Sequence, residues 1–259
     1  MHTRRLRIFA GPNGSGKTTL KKTLENQKLF SFHDYLNPDD ILRKTSKLGF
    51  YVLLKNESFD ELKDFAVKSS YNDTVKNCFK NGLISCRDGK LYFSGDSLNP
   101  YTVSLLVSFR CVKLIEAGKS FSIETVFSNK KKLDLIELAK SCNYKVYLYS
   151  IATEKPEINK GRIENRVADG EHDVPFDKVL NRYPKSLNNI AEAIKSVDRA
   201  FFLDNSSQDT RFIASYDVTT ALVEMKVPKE EIPAWFREYI IGYLLKQNPS
   251  PKSITNSTL

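Results

Sequence analysis

Apolar and polar positions alternate along this chain in short runs that predict strands and helices in turn. Arg5-Leu6-Arg7-Ile8-Phe9-Ala10 alternates and then becomes apolar, which predicts a strand ending at Gly11. Residues 18–24 follow with a helical pattern. The aromatic-rich residues 30–36 predict a second strand stopped by Asn37-Pro38, and Asp39-Asp40-Ile41-Leu42 opens a helix with acid in its first turn. Residues 121–126, 145–151 and 200–204 read as further strands, with another in residues 211–223. Helical patterns occupy residues 101–117, 130–141, 158–168 and 176–197, and an amphipathic helix is predicted over 229–246, carrying the single tryptophan, Trp235. Strands alternating with helices predict an α/β fold with a mainly parallel central sheet flanked by helices.

Residues 45–100 fit that alternation poorly. They contain a helical stretch with apolar positions at Leu62, Phe65, Ala66, Val75 and Phe79. Asp88-Gly89 then lies between Leu83-Ile84-Ser85-Cys86 and Leu91-Tyr92-Phe93-Ser94, a hairpin signal. The segment is read as a helix-plus-hairpin insertion in a domain spanning 1–225. Residues 226–259 are read as a C-terminal helix and a mobile, Ser/Asn/Thr-rich tail.

The length of 259 residues allows one large domain with an insertion. Hydrophobic residues make up 41% and charged residues 27%, which excludes collagen-like and wholly disordered classes. No apolar run reaches the ~20 residues of a membrane span, and the start of the chain shows no secretory signal pattern, so a cytoplasmic protein is expected. Four scattered cysteines, none in a CxxC pair, predict free thiols rather than a disulfide frame or a zinc site. The formal charge of +9 attracts anions: nucleotides, nucleic acid or phosphorylated metabolites.

One motif narrows that choice. Gly11-Pro12-Asn13-Gly14-Ser15-Gly16-Lys17-Thr18 fits G-x-x-x-x-G-K-[ST], follows a strand and opens a helix, with Thr19 next in line. Glycines let consecutive N–H groups face one anion, and the helix terminus adds its positive end. In such loops the lysine, here Lys17, reaches the β- and γ-phosphates of ATP, and the hydroxyl of Thr18 is a Mg²⁺ ligand. A guanine-reading Asn-Lys-x-Asp is missing, since Asn129-Lys130-Lys131-Lys132 has Lys where Asp belongs. No LSGGQ-like signature is present either, so a small-molecule kinase fits best.

Further segments accompany the loop in order: Asn37-Pro38-Asp39, then Glu124-Thr125 before Ser128, then Arg162 and Arg166-Val167. Gly170-Glu171-His172-Asp173-Val174-Pro175, Arg182-Tyr183 and Asp204-Asn205-Ser206 follow. This constellation resembles the zeta toxin family of P-loop kinases over residues 5–45 and 105–207. Two features depart from the family pattern: Glu171 stands in its Gly-Gly-His, and the stretch between Asn37 and Glu124 is long. The resemblance implies ATP-dependent phosphorylation of a sugar hydroxyl, the 3′-hydroxyl of UDP-N-acetylglucosamine, either by a toxin held inactive by a small antitoxin protein, as often in the family, or by a housekeeping relative.

It also assigns roles. Asp39 matches the family's base, accepting the proton of the acceptor hydroxyl; the bland alternative is a helix cap. Glu124 and Thr125 end a buried strand, where a carboxylate needs partners; the acceptor sugar, with Asn37 beside it, or a metal-bound water would serve, as would a structural Lys or Arg. Arg162 and Arg166 are four apart on one helix face and, with Arg182, would stabilise charge on the transferring phosphoryl group. His172 is either a substrate contact or a loop-ordering residue. Asp204 ends an apolar strand, as a metal-supporting aspartate would, and Asn205 would sit near the adenine; turn chemistry is the alternative for both. Two other functions remain compatible with the same residues: a polynucleotide 5′-hydroxyl kinase, and a non-enzymatic ATP-binding interaction module.

Overall fold

Leu6, Ile8 and Phe9 are fully buried because the first strand, β1 (Arg5–Ala10), lies inside a sheet with a strand on each side. The structure is a computed structural model that describes residues 3–28, 30–68, 73–168, 174–247 and 254–256. The other strands are β2 (Asp34–Leu36), β3 (Tyr51–Val52), β4 (Ile84–Arg87), β5 (Lys90–Phe93), β6 (Phe121–Thr125), β7 (Lys145–Ala152), β8 (Arg199–Asp204), β9 (Arg211–Asp217), β10 (Leu222–Met225) and β11 (Ile254–Asn256). The helices are α1 (Lys17–Asn26), α2 (Pro38–Leu48), α3 (Phe59–Lys68), α4 (Asp73–Lys80), α5 (Pro100–Glu116), α6 (Lys131–Ser141), α7 (Pro156–Ala168), α8 (Phe176–Ala193) and α9 (Gly242–Gln247).

The main sheet has the order β11-β10-β9-β8-β7-β1-β6-β2. Strands β6, β1, β7 and β8 are parallel, with Ala10 opposite Thr125 and Ser150, and Ala152 opposite Asp204. Their carboxyl ends therefore share one edge. The chain leaves β1 for β6 on one side and returns to β7 on the other, which makes β1 the switch point where such sheets bind ligands. The sheet is mainly parallel, as expected, and β9 and β10 extend it antiparallel.

The chain divides into two compact units, Met1–Tyr35 with Phe121–Leu259, and Leu36–Ser120. The second unit takes in α2 and α5 besides residues 45–100. It has its own core of Tyr51, Leu62, Val75, Phe79, Leu91, Leu105 and Phe109, and its own sheet, β3-β5-β4, turning at Asp88-Gly89. Helix α5 buries nine of its seventeen residues, so it serves as the core of that unit. Glu57, whose side chain is fully buried, is paired with Arg110 at 2.8 Å. Within the first unit, Tyr149 stacks between Phe9 and Phe201 at 4.9 and 5.0 Å, so it packs the sheet.

Three predicted elements come out differently. The strand predicted over 30–36 forms only at Asp34–Leu36, because His33 has φ 52°, which interrupts an extended backbone. Residues 211–223 are not one strand: β9 turns at Asp217, whose carboxylate accepts from the Thr219 N–H at 2.9 Å, and β10 returns. The helix predicted over 229–246 is broken. A 3₁₀ turn, Lys229–Glu231, gives way to extended Ile232 ahead of Pro233, and a π-helical stretch, Phe236–Ile241, leads into α9. Proline disfavours helical geometry in the residue before it and supplies no N–H. Ile254–Asn256 run parallel to β10 as an edge strand, in a stretch where no element was expected. Among the described residues no helix is long and apolar enough to cross a membrane, and the four cysteines are free thiols.

Asp198 ties β7, β8 and α6 together. Burial works to raise its carboxyl pKa, but bonds from Lys140, the Val146 N–H and Lys145 outweigh that and hold it below the ordinary value. A carboxyl that titrates lower when folded stabilises above its unfolded pKa of about 3.9, and loses that stabilisation as pH falls through the folded value. Asp198→Asn should therefore cost about 1–2 kcal/mol at pH 7, discounted for the solvent around both lysines. In denaturant titrations the gap to the parent should close toward about pH 3; an equal gap at both pH values would refute the assignment.

Candidate active site

The loop after β1 is shaped by close packing. A Cβ on Gly11 would lie 2.0 Å from the Ile151 carbonyl oxygen, and one on Gly14 would lie 2.5 Å from that of Asn159. Gly14 also has φ +74°, in the left-handed region that favours glycine. The loop is thus wedged between the end of β7 and the start of α7. No side chain caps α1, whose N-cap is Gly16, and a helix N-terminus of this kind suits an anion.

Lys17 is buried and its Nζ donates to the Pro12 carbonyl at 2.9 Å. The Thr18 hydroxyl is 3.0 Å from each oxygen of the buried Glu124 carboxylate. Tyr35, from β2, donates to Glu124 Oε2 at 2.5 Å. Glu124 is positioned by register: β6 pairs directly with β1, and Phe9 lies opposite Glu124. The predicted carboxylate-bearing strand end and the phosphate loop are thus together. Two hydroxyls, those of Thr18 and Tyr35, thus donate to the Glu124 carboxylate.

Thr125 uses its hydroxyl locally, accepting the Phe127 N–H at 3.0 Å. From α8, Ser186 and Asn189 donate to the Val126 and Phe127 carbonyls, holding the segment after Glu124. The Asp204 carboxylate is buried and accepts from Trp235 Nε1 at 2.8 Å and Ser206 Oγ at 2.7 Å, with Arg211 at 3.7 Å. It ends β8, which β7 separates from β1. The acid beside Thr18 is therefore Glu124, on β6, with β1 and β7 lying between it and β8. Asn205 donates through Nδ2 to the Ser15 carbonyl at 2.9 Å.

Helix α7 carries Arg162 and Arg166, both half-buried. Arg162 Nη2 donates to the Ser207 carbonyl at 3.1 Å, while its Nη1 is buried without a hydrogen-bond partner. Asn159, fully buried on the same helix, accepts from the Thr153 hydroxyl at 2.7 Å, which leaves its Nδ2 unsatisfied. Asn13 Oδ1 and Ser15 Oγ in the loop are likewise buried without partners. Buried polar atoms left bare cost about 1–3 kcal/mol each, and a bound ligand would supply partners for those of the loop. Arg182 is half-buried on α8, next to Tyr183. The Tyr183 hydroxyl donates to the Thr153 carbonyl, and burial pushes this phenol up, which keeps it a neutral donor.

Asn37 and Asp39 belong to the second unit. Asn37 caps α2, its Oδ1 accepting the Asp39 N–H at 2.9 Å, and Asp39 is exposed in the first turn. Thr19 is exposed on α1. His172 lies outside the described residues. Tyr35, Thr153 and Asn159 carry no sequence signal, and Trp235 stands out in the sequence only as the single tryptophan; their bonds to Glu124 and Asp204, or to each other, leave no local spacing signal.

A glycine-wedged phosphate loop at the switch point of a parallel sheet defines a P-loop α/β protein. No family model matches the chain, and no curated protein matches it in sequence. Solved structures match it in fold. A chain of the native AvrRxo1-ORF1:ORF2 complex is 16% identical with a TM-score of 0.55, covering 94% of this chain and 65% of that one. The same complex with ATP gives 17% and 0.51, over 92% and 63%. PezAT, a chromosomal toxin–antitoxin system of the human pathogen Streptococcus pneumoniae, gives 16% and 0.51, over 93% and 80%. The chain thus spans under two thirds of the matched chain in the ATP complex. These likenesses, all under 25% identical, are likenesses of fold.

Gly14→Ala should push the loop off Asn159 and weaken ATP at least about tenfold in calorimetric titration, with a parental circular dichroism spectrum. Undiminished affinity would show that the close approach does not matter.

Proposed function

We propose that the chain is an ATP-dependent kinase of the zeta-toxin type that phosphorylates a sugar hydroxyl of a nucleotide sugar, the 3′-hydroxyl of UDP-N-acetylglucosamine. The observation that carries the reading is Thr18 facing the buried Glu124 carboxylate at the mouth of a phosphate loop, with Lys17 beside it. The AvrRxo1-ORF1:ORF2 structure that holds a similarly folded chain was solved with ATP, which supports ATP as the donor. The hydroxyl of Thr18 and the carboxylate of Glu124 are hard oxygen donors that suit Mg²⁺, and the ion would neutralise charge on the β- and γ-phosphates. On this reading Glu124, rather than Asp204, is the acid that supports it.

Asp39 accepts the proton of the acceptor hydroxyl as its oxygen bonds to the γ-phosphorus; the bond to the β–γ bridging oxygen breaks and ADP leaves. Lys17, Arg162, Arg166 and Arg182 stabilise the charge on the equatorial oxygens. The exposed carboxylate of Asp39, in the turn directly after β2, suits a base that must meet a diffusing substrate. Asn37 fixes the turn that presents it, and Thr125 lies beside Glu124 on the acceptor side. PezAT is a toxin–antitoxin system and AvrRxo1-ORF1 is in complex with ORF2, which supports a small antitoxin as partner.

Incubation with γ-labelled ATP and a panel of UDP-sugars should give a labelled product, mass-shifted by one phosphate, from UDP-N-acetylglucosamine. Bound ATP with no transfer to any sugar nucleotide would sink the acceptor assignment. Salt-sensitive labelling of an oligonucleotide 5′-end would replace it with a polynucleotide kinase, which the +9 charge also suits. Asp39→Ala should keep ATP affinity and lower turnover by about 10²–10⁴. Lys17→Ala should damage both; an Asp39→Ala protein turning over at the parental rate would remove Asp39 as the base.

A further inference from the structure

The sequence suggests that Asn205 sits near the adenine, with turn chemistry as the alternative; the structure adds a contact to the phosphate loop. Its Nδ2 donates to the Ser15 carbonyl at 2.9 Å, across 190 residues of chain. A bond of that span is not turn chemistry. The contact is also tight, because a Cβ on Gly16 would lie 2.3 Å from this same nitrogen. The Asn205 amide is oriented from its other end, where Oδ1 accepts from the Thr210 hydroxyl at 2.9 Å. With Oδ1 held there, it is the donor end that faces the loop. The Asn205 backbone N–H is bonded to the Ala152 carbonyl at 2.8 Å, so the residue is fixed to the end of β7.

Its neighbours hold the turn in place. Asp204 is anchored by Trp235, and the Ser206 hydroxyl both donates to Asp204 and accepts the Glu154 N–H at 2.8 Å. Three consecutive residues thus grip three segments: the C-terminal stretch, the phosphate loop and the entry to α7.

The consequence follows from peptide geometry. The Ser15 carbonyl and the Gly16 N–H belong to one planar trans peptide and point in opposite directions. Holding the carbonyl from outside therefore holds the N–H toward the inside of the loop's curl. That peptide turns about ψ of Ser15 and φ of Gly16, and Gly16, at φ +99°, is the glycine free to let it rotate. We propose that Asn205 is a positioning residue of the nucleotide site, a brace that keeps the Ser15–Gly16 peptide turned with its N–H toward the phosphates. This deepens the nucleotide-binding reading above and rests on it.

The test compares ATP with inorganic tripolyphosphate, which lacks the base and sugar, by calorimetric titration of the full chain. Asn205→Ala should weaken both ligands by the same factor of about ten, or about 1.4 kcal/mol, with an unchanged melting temperature. In turnover assays the KM for ATP should rise more than kcat falls. Thr210→Val, which removes only the group orienting the amide, should weaken both ligands about two- to threefold, and it decides the matter if Asn205→Ala does not fold. Loss of ATP affinity with tripolyphosphate unaffected would make Asn205 an adenine contact and overturn the brace. Parental affinities in both variants would also overturn it. A parental protein that binds neither ligand would end the nucleotide-site reading, and the brace with it.

Discussion

A phosphate loop works only if a short run of backbone N–H groups stays turned toward one point, and a glycine-rich segment resists that on entropic grounds. Here the loop is confined from outside. Gly11 lies against the end of β7, Gly14 against the first turns of α7, and Gly16 against Asn205. Each approach is too close for any side chain. The glycines are thus needed for freedom of φ and equally because parallel strands and the helix after β7 crowd the loop from several sides.

That crowding is arranged by the sheet. With β6 and β7 flanking β1 in register, the strand ends at Thr125, Ala152 and Asp204 fall on one edge. Glu124 reaches Thr18 from the neighbouring strand, and Tyr35 steadies it. Asp204, one strand further out, is taken up by Trp235 and Ser206. Two acids at apolar strand ends therefore have different tasks, and the difference comes from strand order. A buried carboxylate needs donors wherever it sits, and the donors available depend on which segment lies alongside.

The second unit is built on other terms. Its core rests on an apolar α5 and a small antiparallel sheet, with the Glu57–Arg110 pair as its buried charge. The Arg110 fork makes two bonds to that carboxylate and a third to the Val52 carbonyl, the geometry in which a buried ion pair is tolerated. The turn carrying Asn37 and Asp39 opens this unit directly after a strand of the main sheet. The basic surplus of the whole chain suits a protein whose ligands are polyanions.

Much of this was legible along the chain. The phosphate loop depends on local spacing, and so do the β1, β7 and β8 patterns, the Asp88-Gly89 hairpin and the Asn37 cap, because each is governed by residues within a few positions of one another. The C-terminal helix was misjudged because apolar periodicity outweighed Pro233, and the second strand because nothing local announces a left-handed His33. The partners of Glu124, Asp204 and Ser15 lie 89, 31 and 190 residues away in Tyr35, Trp235 and Asn205. Pairing over such distances follows from strand order and register, which arise when the sheet assembles and leave no mark in the spacing of residues.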